Sequence, residues 1–176
     1  TRQLVEALAK QPIHFDPGTH LRYSLYHDVT AAVIEVVSGK SFGEYVNENI
    51  IQPLGMKSMT FHPTEDYFDR MAACYQWDKK QRPESRPMQR NIYVLAPEYE
   101  SGGAGCISTL EDYSKFLENL RAGERLLRRD TVTRMICPQI SRKAEETMHA
   151  NFTSTQSYSY GLGVRCPRPG GVELDY

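Results

Sequence analysis

Two side chains able to do chemistry, Tyr23 and Ser24, follow a Pro17-Gly18 turn and lead into an apolar stretch that ends at Ser38-Gly39. A tyrosine so placed can pass a proton, and turns set on rigid scaffolds are where such groups tend to sit. The plainer alternative is a half-buried packing tyrosine with a satisfied hydroxyl. Ser24 also stands where helix caps are enriched, and His27 lies three residues on. A Ser24–His27 contact is possible at that spacing, but capping and packing is the reading preferred for Ser24. His27 and Asp28 are sequence neighbours, so on a helix they point to different faces and make no ready-made pair.

Two further motifs fail on context. Gly39-Lys40-Ser41-Phe42-Gly43 matches the G-x-S-x-G nucleophile elbow, which needs a strand before the serine and a helix after it. Here the preceding residues Ala31–Val37 have helical period. Ser41 with Glu44 three residues later reads instead as a capping box. Gly39-Lys40-Ser41 also imitates the end of a phosphate loop, but the opening glycine of that motif falls on Ile34.

The elements that must position these residues read as mainly helical. Leu4, Val5 and Leu8 mark a short amphipathic helix closed by Gln11-Pro12. Val29, Val33, Ile34 and Val37 mark a second helix, stopped by Gly39. Phe42, Tyr45, Val46 and Ile50 mark a third, broken at Pro53-Leu54-Gly55. Met71–Trp77 and Asn91–Leu95 have strand composition, with Asp78–Gln89 between them as a solvated loop. The glycine-rich run Ser101-Gly102-Gly103-Ala104-Gly105 precedes a strong helix carrying Leu110, Tyr113, Phe116, Leu117 and Leu120, with its cap expected at Ser108. Asp130 is expected to cap a short helix that ends at Pro138. Ser141–Ser159 reads as mostly loop, Tyr160–Arg165 as one strand, and Pro167–Tyr176 as a tail with turn signals. The class is α+β, mainly helical, with only a few strands, and 176 residues fit a single domain spanning 1–176.

Composition narrows the partners. The chain has 40% hydrophobic and 24% charged residues, and 21 basic against 22 acidic side chains give a net charge of −1. That balance argues against nucleic acid or an anionic membrane as the main partner. No apolar run approaches the ~20 residues that span a bilayer. Cys74, Cys106, Cys137 and Cys166 lie far apart with no close ligand pairs, which reads as small buried hydrophobes rather than a zinc site. The chain opens on Thr1 rather than Met, so a processed chain or an excised piece is expected.

Taken together, the motifs resemble one family. Phe15-Asp16-Pro17-Gly18-Thr19, then Tyr23-Ser24, then the helix closing at Ser38-Gly39 are followed by Phe42-Gly43-Glu44-Tyr45, Ile51-Gln52-Pro53-Leu54-Gly55-Met56 and Thr60-Phe61. Ser101-Gly102-Gly103-Ala104-Gly105, Ser108-Thr109 with Glu111-Asp112-Tyr113, and Tyr160-Gly161-Leu162-Gly163-Val164 complete the series. This order, covering nearly the whole chain, resembles the serine β-lactamase and penicillin-binding protein superfamily, including class C β-lactamases, penicillin-binding carboxypeptidases and related esterases.

The resemblance implies the helical region of the β-lactamase/transpeptidase-like fold. It implies a serine hydrolase acting on a small-molecule ester or amide through an acyl-enzyme, with no metal and no organic cofactor. Tyr23 matches the catalytic tyrosine of the family's box, and Ser24, Ser101, Gly102 and Gly103 fall at substrate-binding positions. The glycines have an equally good reading as a tight turn before the next helix. Leu25 replaces the asparagine of the β-lactamases, which favours the esterase-like branch. The sequence contains no Ser-x-x-Lys and no Lys/His-Thr/Ser-Gly triplet. The expectation is therefore a central piece of a larger hydrolase, inactive by itself, whose flanking segments carry both motifs. A helical binding module derived from the same fold, without chemistry, is the alternative.

Overall fold

Helical apolar spacing interrupted by glycine and proline sets the order of elements in the computed structural model, which describes residues 1–77, 83–86, 98–123, 125–151 and 158–167. The helices are α1 (Arg2–Leu8), α2 (Tyr26–Ser38), α3 (Phe42–Val46), α4 (Glu65–Arg70), α5 (Leu110–Ala122), α6 (Arg129–Met135) and α7 (Arg142–Asn151). A π-helical turn, Asn47–Ile51, continues α3. Strands β1 (Cys74–Trp77) and β2 (Pro83–Arg86) pair antiparallel with Cys74 opposite Arg86. Strands β3 (Tyr158–Tyr160) and β4 (Arg165–Pro167) pair antiparallel with Tyr160 opposite Arg165. The α+β, mainly helical class read from the sequence holds.

Two units can be separated, one of Thr1–Arg2 and His27–Ser114, the other of Gln3–Tyr26 and Lys115–Tyr176. In the first, α2 buries Asp28, Ala31 and Ala32, and Ile51 and Met56 complete the apolar core. Small alanines leave the valines of α2 on other faces, so Val33, Val36 and Val37 are exposed rather than packed inward. Thr60 and Ile107 exchange both backbone hydrogen bonds, at 2.9 and 2.8 Å. Buried Asp112 accepts the Ser58 N–H at 2.6 Å and so fastens the loop after Met56 to α5.

In the second unit, Ala144 and Met148 of α7 and Cys166 of β4 are buried. Helix α7 lies where a loop was expected. Among its described side chains the buried apolar ones are the i, i+4 pair Ala144 and Met148, too thin a stripe to show as a period, while Ser141 caps it by accepting the Ala144 N–H at 3.2 Å. The segment expected as one strand from Tyr160 to Arg165 is a hairpin. Its turn is made by Gly161 and by Gly163, where the Gly161 N–H reaches the Val164 carbonyl at 2.8 Å.

Other boundaries shift for local reasons. Within the expected loop Asp78–Gln89, β2 begins at Pro83, a strand-start position that needs no donor from the proline. Helix α5 is capped by Thr109, whose hydroxyl accepts the Asp112 N–H at 3.3 Å, rather than by Ser108. Asp130 lies in the first turn of α6, with Arg128 at the cap position. Helix α4 follows Thr64 and has no counterpart in the sequence reading. The strand expected at Asn91–Leu95, and the tail beyond Pro167, lie outside the described residues.

Helix α7 holds the turn that carries Tyr23. The Leu21 N–H donates to Thr147 Oγ1 at 3.1 Å, and Ser141 Oγ donates to the Gly18 carbonyl at 3.1 Å. Thr147→Val leaves the partly buried Leu21 N–H without that acceptor. We expect a loss of roughly 1–2 kcal/mol in urea unfolding, together with faster amide exchange across residues 21–24. Unchanged exchange there would show that α7 does not restrain the turn.

Candidate active site

The Tyr23 turn is built from the sequence upward. Pro17 and Gly18 occupy the two central positions of a turn closed by the Thr19 N–H on the Asp16 carbonyl at 3.2 Å, and Gly18 has φ 79°, the value a type II turn demands of its third residue. Thr19 Oγ1 also donates to the Asp16 carbonyl at 2.6 Å, and the His20 ring lies 5.1 Å from Phe15. Arg22 is engaged with His14 Nδ1 at 2.7 Å. Tyr23 then stands 86% exposed, its phenol open to a ligand. Ser24 is exposed, makes no hydrogen bond among the described residues, and lies two residues before the start of α2. Its expected capping role is not seen.

In the His27–Ser114 unit the organising group is Asp28, 2% exposed in the first turn of α2. A carboxylate favours that end of a helix, but burial leaves it dependent on donors. Its Oδ1 receives three, from Tyr99 Oη at 2.7 Å, Ser101 Oγ at 2.7 Å and the Gly102 N–H at 3.2 Å. Burial, and then donation to Asp28, pushes the Tyr99 phenol above its ordinary range, so it serves as a neutral donor. Ser101 Oγ accepts in turn from the Gly103 and Ala104 N–H groups at 3.1 and 3.2 Å. A Cβ at Gly102 would collide with the His27 carbonyl oxygen, so this close approach to α2 requires glycine. His27 itself is exposed, as its neighbour's burial on a helix dictates.

Glu100, 8% exposed, forms a second cluster in the same unit. Its carboxylate accepts the Gly43 N–H at 2.6 Å, Ser41 Oγ at 3.4 Å and His62 Nε2 at 2.6 Å, and its carbonyl accepts Thr1 Oγ1 at 2.9 Å. Burial alone would raise its pKa. The hydrogen bonds from Gly43, His62 and Ser41 outweigh burial and hold it below the ordinary glutamate value. Ser41 is the N-cap of α3, and both arms of the capping box with Glu44 are formed. No strand precedes it, so it is no nucleophile elbow.

The structure thus brings Tyr23 and Ser24 together on one turn and Ser101, Gly102 and Gly103 together on another. The Ser101 hydroxyl is buried and committed to Asp28. The N–H groups of Gly102, Gly103 and Ala104 are all taken, which leaves the exposed surface of Gly103 as the part of that turn open to a ligand. Tyr99 was missed in the sequence, where it has no local motif, and the contacts of Tyr99 and Glu100 are with partners 71 and 57 residues away. Among the described residues no cluster of three His, Cys, Asp or Glu could hold a metal.

Comparison with known proteins places this arrangement. The model of the Beta-lactamase family matches residues 1–173, and the chain belongs to that family. Esterase EstB of Burkholderia gladioli is 33% identical over 133 residues, which are 65% of this chain and 33% of the esterase. Among solved structures, simvastatin synthase (LovD) from Aspergillus terreus superposes with a TM-score of 0.78 at 26% identity, covering 94% of this chain and 46% of that one. EstCE1, a hydrolase with promiscuous acyltransferase activity, gives 0.76 at 27% identity, covering 93% and 45%. The chain therefore spans about a third of the curated esterase and less than half of each solved chain. Its fold is that of the serine hydrolases and acyltransferases of this family.

Two outcomes test the buried carboxylates. Asp28→Ala strands three donors and should cost roughly 3 kcal/mol or more, with Asp28→Asn, which keeps an acceptor, costing about half. For Glu100 the folded pKa is depressed, so its stabilising contribution is full above about pH 4.3, the ordinary glutamate value, and is lost as pH falls through the lower folded value. The stability gap between the natural protein and Glu100→Gln should shrink as the solution is acidified through and below the ordinary glutamate range. A gap that widens on acidification would refute the assignment.

Proposed function

We propose that residues 1–176 form the central, mostly helical part of a serine hydrolase that transfers an acyl group from a small ester to its own serine and then to water. Tyr23 is the proton shuttle. As the serine oxygen bonds to the acyl carbon, its proton leaves by way of the tyrosine oxygen and reaches the departing alkoxide; a water then releases the acid and restores the serine. Ser24, exposed beside Tyr23 on the same turn, touches the substrate. The nucleophile and the cations that would let a tyrosine act as a base come from Ser-x-x-Lys and Lys/His-Thr/Ser-Gly segments. Neither motif occurs in these residues, so they are inactive alone.

The observation that carries this reading is the 86% exposed Tyr23 phenol on a turn tied down at both Gly18 and Leu21. Catalytic groups need that combination of access and fixed position. Leu25, where the β-lactamases of the family place asparagine, offers no hydrogen bond to a substrate amide and favours esters. The exposed valines of α2 fit a chain that is covered by further segments of the same fold.

The test is p-nitrophenyl butyrate hydrolysis by the full-length protein. Tyr23→Phe should lower kcat by about 10²–10⁴-fold with no change in the urea midpoint, because the residue is exposed. Intact-mass spectrometry of the 176-residue chain with the same ester should show no acyl adduct. An adduct on a serine of this chain, or a wild-type rate in Tyr23→Phe, would overturn the proposal.

A further inference from the structure

A cavity of about 540 Å³ opens in the His27–Ser114 unit. Its lining includes Glu44, Asn47, Ile51, Phe61, His62 and Glu100. That volume lies within the range of small-molecule sites, which pair apolar walls with a few convergent polar groups. We propose that this cavity binds a small organic cation, an ammonium group on an aryl or alkyl body.

The charge of the lining selects the ligand. Two carboxylates, Glu44 and Glu100, face one histidine, and the lining contains no lysine and no arginine. An anion would be repelled, while a cation is drawn in by the field that such a concave wall focuses. The hydrogen bonds on Glu100 keep its carboxylate ionised at neutral pH. Glu44 uses Oε2 for the Ser41 N–H at 3.0 Å, leaving Oε1 for a ligand. The Asn47 side chain makes no hydrogen bond among the described residues and can accept from the same ammonium.

The apolar half is equally defined. Phe61 lines the cavity and makes a T-shaped contact with Phe42, ring centroids 5.4 Å apart, so it offers an aromatic wall for cation–π contact or for the ligand body. Asn47 and Ile51 are the two ends of the π-helical turn, and both line the cavity. Such turns cost regular hydrogen bonding and recur at functional sites. A bare metal ion is not expected, since no three ligating groups gather among the described residues.

The inference is independent of the acyl-transfer reading, and its test uses binding rather than hydrolysis. The full-length protein is titrated calorimetrically with 2-phenylethylammonium, 2-phenylethanol and phenylacetate. Saturable binding of the ammonium, weaker binding of the alcohol and none of the carboxylate is expected. Glu44→Gln retains a capping side chain and should weaken the ammonium about two- to fivefold without moving the urea midpoint; Phe61→Leu should weaken it without altering the preference for charge. Equal binding of ammonium and alcohol, tighter binding of phenylacetate, no saturation, or affinities unmoved by both substitutions would each overturn the assignment.

Discussion

A carboxylate buried at the start of a helix has to be surrounded by donors, and most of the His27–Ser114 unit follows from how Asp28 meets that requirement. Its donors come from a segment 71 to 74 residues further along the chain. Placing Tyr99, Ser101 and Gly102 around one oxygen fixes the glycine turn against α2 and leaves Glu100, in the middle of that segment, beside the start of α3. There Glu100 meets Gly43, whose missing side chain is what lets the carboxylate reach the helix N–H; a Cβ would collide with it. Two carboxylates and two glycines thus set where α2 and α3 meet the loop, with little apolar area involved. Buried charges are costly unless fully paired, so the arrangement has few alternatives of similar energy.

Apolar packing is correspondingly thin. The buried hydrophobic residues among those described are few and mostly small or flexible, Ala31, Ala32, Ala144, Met56, Met148 and Cys166 beside Ile51, while Val33, Val36, Val37, Leu110 and Leu117 lie exposed. Contiguous exposed apolar surface on a helix marks a contact face. The relatives of this family are two to three times as long as the part matched here.

What could be read from the sequence tracks how local each determinant is. The helices with several apolar residues per two turns, α2, α3 and α5, were legible from periodicity, and the capping box at Ser41 and Glu44 was legible because both partners sit within one turn. Helix α7 was not, because among its described side chains only Ala144 and Met148 are buried apolar groups. The hairpin at Gly161–Val164 was hidden because flanking tyrosine and valine give a strand-like composition. Asp28 was visible only as a neighbour of His27, since its three partners come from far along the chain. Recognition of the family rested on motif order, which records long-range placement that local chemistry cannot.

The two turns named from those motifs are held in opposite ways, and the difference bears on what each can do. The Ser101–Gly105 turn is fastened through its own side chain and amides: Ser101 Oγ and three N–H groups are engaged with Asp28 or within the turn, so their chemistry is spent on shape. The Tyr23 turn is fastened from outside, by Ser141 and Thr147 acting on backbone atoms at Gly18 and Leu21. The Tyr23 and Ser24 side chains are left uncommitted while the backbone of the turn is restrained. A reacting group needs that second arrangement, because a hydroxyl already held by a buried carboxylate cannot move a proton for a ligand without losing the contact that positions it. On this ground we assign the proposed proton transfer to the phenol of Tyr23 rather than to the hydroxyls of Ser101 and Tyr99, which Asp28 already holds.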